Sequence, residues 1–258
     1  MTIDKKKLIL QILNLITLIV TIIVNYAAAT IPLGLGDTRY ISDLYPNLFV
    51  PTGLTFSIWG IIYIFLGLFV VYQIRDVFKQ EKIEMPFLEK ISYLFILSNL
   101  GNTTWIFFWH YGLIYLSIVA MIVILLSLIG IYLKLEIGKT KVNTREKWFV
   151  QIPFSIYLGW ITVATIANVT AVLVSAGVEH EGILAEILTI TVISVAVLIT
   201  ILILYIRKDY AYSLVVIWAI LGIFLKQFGF NTTIATTSIV AIVIIAADIV
   251  YTIIKVRK

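Results

Sequence analysis

The chain has 258 residues, of which 61% are hydrophobic and only 13% charged, and its mean hydropathy is +1.07. These values lie far outside the composition of soluble globular proteins and predict an all-α integral membrane protein. The formal net charge is +5, but the basic residues occur in short clusters between apolar runs, so we expect no nucleic-acid partner. The lack of cysteine excludes disulfides and thiolate chemistry, and the two histidines are too far apart to suggest a metal site.

Eight apolar runs approach the roughly 20 residues that a membrane-spanning helix needs. They lie at 8–28, 54–74, 87–109, 114–133, 148–174, 183–206, 211–225 and 234–254, and the seventh is the shortest. We therefore predict about eight transmembrane helices. The lysines and alanines around the first run also suggest a secretory signal peptide, but the run is longer than a usual signal core, and we expect it to be a retained helix.

The distribution of lysine and arginine predicts the orientation of these helices. If the N-terminus is cytoplasmic, seventeen of the nineteen basic residues fall in cytoplasmic segments, and only Arg39 and Lys226 lie outside. Because cytoplasmic loops collect positive charge, the pattern favours a multi-pass protein of the cell membrane with both termini in the cytoplasm. Membrane lipid is then the expected surrounding partner.

Ionisable side chains are missing from the centres of the first five runs, whereas ion-coupled transporters usually need such groups at membrane depth. Asp248 in the eighth run is the exception. It lies about two turns from Lys255, and we expect it to reach the interface or to pair with that lysine.

Uncharged polar and aromatic residues share helix faces that converge in the outer half of the membrane. These residues are Asn25 and Tyr26; Phe56, Trp59 and Tyr63; Asn99, Asn102, Trp105 and Trp109; and Tyr157, Trp160, Ala164, Thr165 and Asn168. Taken singly, the asparagines could be interhelical hydrogen-bond partners, and Trp109 and Tyr26 could belong to the interfacial aromatic belt. Their convergence favours a lined cavity.

A polar segment of about two dozen residues, from Thr30 to Pro51, joins the first two runs and is too long for a simple connector. It carries Pro32, Gly34, Gly36 and Arg39, among other turn-forming and charged residues. We predict that this segment is a lid over the cavity.

Three sequence blocks carry a family resemblance. PTGLTFSIWGIIY opens the second run, NTTWIFFW ends the third, and YLGWITVATIAN lies in the fifth. In this order and spacing they resemble the translocator protein family, that is, the TspO/MBR or tryptophan-rich sensory proteins related to the peripheral benzodiazepine receptor. The resemblance covers residues 25–173. Thr103 stands where the family has tryptophan after Asn102, so we expect a thinner aromatic wall there.

The resemblance implies a TspO-like five-helix bundle over residues 1–175, with a cavity beneath the lid that binds tetrapyrroles such as protoporphyrin. The family pattern falls on Pro51, Gly53, Trp59, Tyr63, Asn102, Trp105, Tyr157, Trp160, Ala164 and Asn168. Arg39 in the lid would face the propionates of such a ligand. No cofactor is required, and the tetrapyrrole enters as a ligand.

Residues 176–258 lie outside the three blocks and form a C-terminal extension of about three transmembrane helices. The sequence leaves three interpretations of this extension open: an added packing module, an oligomerisation face that would make a homodimer, or the second half of a larger pathway.

Three functions follow in order of preference. The first is a membrane receptor or sensor that binds a flat hydrophobic small molecule. The second is a transporter of an apolar or amphipathic solute. The third is a tetrapyrrole-modifying enzyme, which we do not favour because no general acid, base or metal constellation is visible in the proposed cavity.

Overall fold

The computed structural model describes residues 5–31 and 33–256, and within these ranges all regular structure is helical. Three residues named in the sequence interpretation or counted in its basic clusters lie outside the described ranges: Pro32 of the lid, and Arg257 and Lys258 at the C-terminus. All other predicted site residues lie within them.

The helices follow the predicted runs closely. The first six are α1 (Lys5–Thr30), α2 (Thr38–Asp43), α3 (Ile58–Gln73), α4 (Pro86–Ile91), α5 (Leu94–His110) and α6 (Ile114–Lys134). The remaining five are α7 (Thr144–Glu146), α8 (Ile152–Ser175), α9 (Gly182–Arg207), α10 (Tyr210–Gln227) and α11 (Thr232–Val256). A 3₁₀ turn at Gly53–Ser57 leads into α3, and a π turn at Lys147–Gln151 leads into α8.

Seven of the described helical segments are long and apolar enough to cross a membrane: the α1, α6, α9, α10 and α11 segments, and those that continue from the two turns into α3 and α8. α5 has 17 residues and a length of about 26 Å, at the lower limit for a spanning helix. We count α5 as the eighth span because it packs against both α1 and α6. The protein is therefore an all-α, multi-pass membrane protein.

Two of the predicted runs are not continuous α-helices. The third run is broken at Ser92, whose φ of 50° is incompatible with a right-handed helix, so that α4 and α5 replace one helix. The fifth run begins with the π turn because Pro153 has no N–H to donate and its ring would collide with the carbonyl four residues earlier. Neither break interrupts the part of the bundle that carries the predicted site.

The five-helix part and the C-terminal helices pack as one body. α8 lies between α6 and α10, and α11 packs against α9 and α10. Gly159 permits the close approach of α8 and α10, since a Cβ there would lie 3.0 Å from the carbonyl oxygen of Tyr212. A single cluster of buried apolar side chains extends from Leu18 on α1 to Ile245 on α11.

The bundle has two chemically different ends. We call the end that carries α2 and the 3₁₀ turn the lid end, and the opposite end, where α1 begins, the basic end. α2 is N-capped by Asp37, whose carboxylate accepts a hydrogen bond of 2.7 Å from the amide of Tyr40. The lid segment therefore contains a short, capped helix and is not an irregular loop.

The expected pairing of Asp248 with Lys255 is absent from the described residues. The ammonium group of Lys255 lies 5.7 Å from the ring centre of Tyr251 and 5.9 Å from that of Tyr205. Oδ2 of Asp248 is buried without a hydrogen-bond partner in the described chain. The tyrosine rings, which attract a cation through their π faces, have taken the place of the carboxylate.

Candidate functional site

A small cavity lies directly beneath the lid, where α3, α5 and α8 meet. Eight of the predicted site residues line it: Pro51, Phe56, Trp59, Trp105, Trp109, Trp160, Ala164 and Asn168. Thr38 and Ser42 of α2 form part of its boundary, and Met121 of α6, with Val163 and Ala167 of α8, completes the lining. Its volume is about 40 Å³, room for a few atoms, whereas pockets for drug-sized ligands have about 300–1,000 Å³.

Aromatic rings fill the space around this cavity. Trp59 is stacked on Tyr63 with ring centres 5.5 Å apart, and it meets Trp160 edge to face at 6.2 Å. Phe56 also contacts Trp160 edge to face, at 6.0 Å. Trp105 and Trp109 stack on each other at 5.3 Å. Flat rings on three helices thus present both faces and edges toward one small volume, the arrangement that another flat aromatic molecule can enter by stacking.

Hydrogen bonds fix part of this aromatic wall. The indole N–H of Trp105 donates to Oδ1 of Asn168 at 2.9 Å, and Nδ2 of Asn168 donates to the hydroxyl of Ser117 at 2.9 Å. The indole N–H of Trp109 donates to the carbonyl oxygen of Thr38 at 3.2 Å, which ties the wall to the lid helix. Trp109 is buried and bonded to the lid, so it is not at an exposed position of the aromatic belt.

The indole N–H of Trp160 behaves differently, because it has no hydrogen-bond partner among the described residues although the side chain is only 3% exposed. The hydroxyl of Tyr63, stacked under Trp59, is also buried, and the side chain of Asn102 lies beside it. Buried polar groups are nearly always paired in native proteins, and an unpaired one has a cost of about 1–3 kcal/mol. The site therefore contains one polar group, the indole N–H of Trp160, whose hydrogen-bonding capacity is unused within the described chain.

A second layer of polar residues lies behind the aromatic wall. Nδ2 of Asn25 on α1 donates to Oδ1 of Asn102 at 2.8 Å, and Nδ2 of Asn102 donates to the hydroxyl of Tyr157 at 3.1 Å. Tyr157 contacts Trp59 edge to face at 6.0 Å. Asn25, Asn102 and Tyr157 thus link α1, α5 and α8 and support the wall without lining the cavity.

Two further predicted residues, Arg39 in the lid and Gly53 at the start of the 3₁₀ turn, lie against each other. The side chain of Arg39 lies over Gly53, where an added Cβ would be 2.5 Å from Cδ of the arginine. The guanidinium Nε of Arg39 is 4.0 Å from a carboxylate oxygen of Asp43, one turn further along α2. Gly53 thus provides the space in which Arg39 folds back over the chain.

Three predicted residues are not brought to the cavity. Tyr26 is 70% exposed at the end of α1. Asn99 faces α1, where its Nδ2 donates to the hydroxyl of Thr17 at 3.1 Å. Thr165 faces a separate groove between α8 and α9. Thr103 points the same way as Asn99, with its hydroxyl 3.2 Å from that of Thr21, so its small side chain serves the contact between α1 and α5.

α10 holds the mouth of the cavity, and no sequence motif indicated this role. The indole N–H of Trp218 donates to the carbonyl oxygen of Thr55 at 3.0 Å, and the amide of Thr52 donates to the carbonyl oxygen of Gly222 at 3.1 Å. Nε2 of Gln227 donates to the carbonyl oxygen of Leu48 at 3.1 Å. A Cβ on Gly222 would overlap the hydroxyl of Thr55, so glycine is required for this close contact.

The one sequence signal for α10 was Lys226, which stands out as one of two basic residues outside the cytoplasmic clusters. Its ammonium group lies 3.2 Å from a carboxylate oxygen of Asp43 in the lid helix. Trp218, Gly222 and Lys226 follow one another at intervals of four residues, so they lie on the same face of α10.

Further cavities lie outside this site, and one of about 400 Å³ adjoins Ser92 and Leu97 at the break between α4 and α5. Two others differ in their lining. The larger, of about 520 Å³, is at the basic end between the start of α1 and the segment before α4, and its lining mixes Lys6 and Lys82 with Glu84 and Glu89. The other, of about 230 Å³, is the apolar groove between α8 and α9. Neither is lined by the aromatic side chains that converge beneath the lid.

A buried polar cluster closes the basic end. Asp76 is fully buried and accepts hydrogen bonds from the ammonium group of Lys7, from Nε2 of Gln11 at 2.9 Å and from the amide of Ile83 at 2.8 Å. Burial opposes the charged form of this carboxyl, but the three hydrogen bonds and the charge of Lys7 outweigh it and lower the pKa of Asp76 below its ordinary value.

Comparison with known proteins supports the resemblance of the three sequence blocks and the all-α membrane architecture. A family model described as TSPO-like protein matches residues 11–251. The match continues through α9 and α10 into α11, well beyond residue 173, where the resemblance of the sequence blocks ends. No curated protein and no solved structure matches the chain. The chain belongs to the TSPO-like protein family.

Proposed function

We propose that the protein is a membrane receptor or sensor that binds a flat hydrophobic ligand, of the size class of a tetrapyrrole, in the cavity beneath the lid. The observation that carries this proposal is the convergence of Phe56 and four tryptophans on one volume, together with the N–H of one of them, Trp160, which has no partner among the described residues. Stacking surfaces and an unused donor are what a flat ligand with a hydrogen-bond acceptor would use.

Binding of such a ligand requires the cavity to open, because about 40 Å³ is far too small for it. The lid is the element that can move. α2 is joined to the wall by the bond from Trp109 to Thr38, and Leu35 donates to the carbonyl oxygen of His110 at 2.8 Å. Several lid side chains, including Tyr40 and Leu44, are exposed. A few hydrogen bonds and a largely exposed surface favour local opening over opening of the helices.

The basic end is proposed to face the cytoplasm, since loops rich in lysine and arginine remain on that side. The chain has no cysteine, so a single introduced cysteine can report orientation. Leu44→Cys lies in the lid and Lys141→Cys at the basic end, both at exposed positions. In intact cells, a membrane-impermeant maleimide should label the first and spare the second. The reverse pattern would overturn the proposed orientation.

The binding proposal is tested by titrating the full chain in detergent with the neutral dimethyl ester of protoporphyrin IX, following the absorption band of the ligand. Saturable binding is expected, and a Trp59→Ala, Trp105→Ala double variant should weaken it at least about tenfold, since each stacked ring contributes on the order of 1 kcal/mol. Trp148→Ala is the matched control, because Trp148 is half exposed and remote from the cavity.

A folded double variant with unchanged affinity would contradict the proposed site. Flux of the ligand across proteoliposomes that contain the protein would indicate transport. Recovery of a chemically altered ligand would indicate an enzyme.

A further inference from the structure

The lid end carries a net negative formal charge, in contrast to the rest of the chain. Among the described residues its only basic side chains are Arg39 and Lys226, whereas five acidic side chains lie at this end. The acidic residues are Asp37, Asp43, Glu179, Glu181 and Glu186. Contacts locate two of them: Glu179 and Asn47 of the lid line the same groove, and Oε1 of Glu186 accepts a hydrogen bond from Asn231 in the α10–α11 turn at 2.8 Å. With neutral histidines, this end has a formal charge of −3.

Both basic side chains are already engaged by one acidic residue. The ammonium group of Lys226 lies 3.2 Å from Oδ1 of Asp43, and Nε of Arg39 lies 4.0 Å from Oδ2. An anionic group on a ligand would have to compete with Asp43 for these cations. It would also have to approach through the field of the other carboxylates, which extends over about 8 Å at physiological salt.

The cavity itself offers no compensation for a negative charge. None of the side chains that line it in the described structure is charged. The lining residue Trp160 has a neutral N–H donor without a partner in the described chain, which suits a carbonyl or another neutral acceptor. Transfer of a carboxylate into such surroundings is unfavourable, whereas a neutral acceptor would satisfy the indole.

We infer that the site beneath the lid selects neutral flat ligands that carry hydrogen-bond acceptors and discriminates against carboxylated ones. The inference rests on the proposed ligand-binding function and specifies its ligand class. It reverses the expected role of Arg39: this side chain balances Asp43 and does not receive a propionate.

Paired titrations with protoporphyrin IX and its dimethyl ester test the inference, because the two compounds share one ring system. The ester should bind at least about threefold more tightly. The ester is also more hydrophobic, so the decisive measurement is salt dependence, compared in a non-ionic detergent at about 20 and about 300 mM sodium chloride. Screening of repulsion should raise the affinity for the diacid about two- to threefold and leave the ester unchanged. Tighter binding of the diacid, or an affinity for it that falls with salt, would overturn the inference.

Asp43→Asn tests the effect of the Asp43 carboxylate on Arg39 and Lys226 separately from the combined field of the other carboxylates at the lid end. This change frees Arg39 and Lys226 and should raise the affinity for the diacid about threefold, the size expected for exposed ion pairs, without affecting the ester. Glu181→Gln removes the same charge from an exposed position that contacts neither cation, and it should have a smaller effect. Equal effects of the two substitutions, or none from Asp43→Asn, would contradict the role assigned to Asp43.

The results also distinguish this inference from the proposed function. If both compounds bind saturably, depend on Trp59 and Trp105, and show the opposite order or salt dependence, the site stands and the inference fails. If neither binds saturably, the proposed function fails, and the inference fails with it.

Discussion

The polar cluster around Asp76 and the cavity beneath the lid differ in how completely their buried polar groups are paired. At the basic end, the carboxylate of Asp76 receives three hydrogen bonds, and most of the amide groups around it are paired, with Oδ1 of Asn14 the exception. Beneath the lid, the indole N–H of Trp160 is buried against the rings of Phe56 and Trp59 without a partner among the described residues. A nearly complete network holds helices together, whereas unused donors beside a cavity are typical of a binding site.

Asp76→Ala should produce the largest change in stability, because it disrupts the paired polar cluster at the basic end. It removes the carboxylate that pairs with the largely buried Lys7 and should lower the free energy of unfolding by about 3 kcal/mol at neutral pH. Because the pKa of Asp76 is lowered in the folded protein, its stabilisation is complete above the unfolded value of about 3.9 and disappears as the pH falls through the lower folded value.

Thermal unfolding in detergent between pH 7 and pH 3 tests this prediction. The wild-type melting temperature should fall below about pH 4, and that of Asp76→Ala should fall less. Glu89→Ala, at an exposed position of the same end, is the control and should behave as wild type. Ligand affinity per folded molecule should be unchanged in Asp76→Ala, and a large loss would show that the two ends are not independent.

Gly222→Ala should have the next largest effect on stability. It tests the close contact between α10 and the 3₁₀ turn at the mouth of the site. The added methyl group would overlap the hydroxyl of Thr55 and crowd Pro51, so we expect a loss of about 2 kcal/mol and weaker ligand binding. Gly67→Ala is the matched control, because a Cβ there has open space around it. The control should be neutral or slightly stabilising. Equal melting temperatures for the two variants would argue against the close contact.

The smallest change in stability is expected for Trp160→Phe, compared with Trp105→Phe. Both variants lose the same buried ring volume. Trp105 would in addition lose its bond to Asn168, so Trp105→Phe should be more destabilising than Trp160→Phe by about 1–2 kcal/mol. Trp160→Phe should nevertheless weaken binding of the dimethyl ester about fivefold, since the ligand acceptor loses its donor. A variant that is destabilised but binds normally would assign Trp160 to packing.

The positions of the membrane helices could be predicted from the sequence to within a few residues. A spanning helix must satisfy its backbone hydrogen bonds internally over the thickness of the membrane, so its length is visible as an apolar run. The break at Ser92 was not predicted, because a single serine in an apolar context carries no signal for a positive φ. The π turn before Pro153 was likewise missed, although the proline was visible.

The site could be predicted only in part. Helical spacing brought Trp59, Trp105 and Trp160 to one level, and the structure shows them around one cavity. The same spacing could not show that Asn99 and Thr165 face neighbouring helices, because rotation about the helix axis depends on packing partners. The contact of α10 with the mouth of the cavity joins segments about 170 residues apart. A single sequence does not show which distant segments pack against each other.

The backbone hydrogen bond between Thr52 and Gly222 has a consequence for biogenesis. Membrane helices emerge from the ribosome in order, so the first five spans are complete well before α10 is made. During that interval the lid-end mouth lacks the carbonyl of Gly222 and the indole of Trp218 that later hold it. We therefore expect the proposed ligand-binding competence to arise late in synthesis, when α10 contacts the turn that leads into α3.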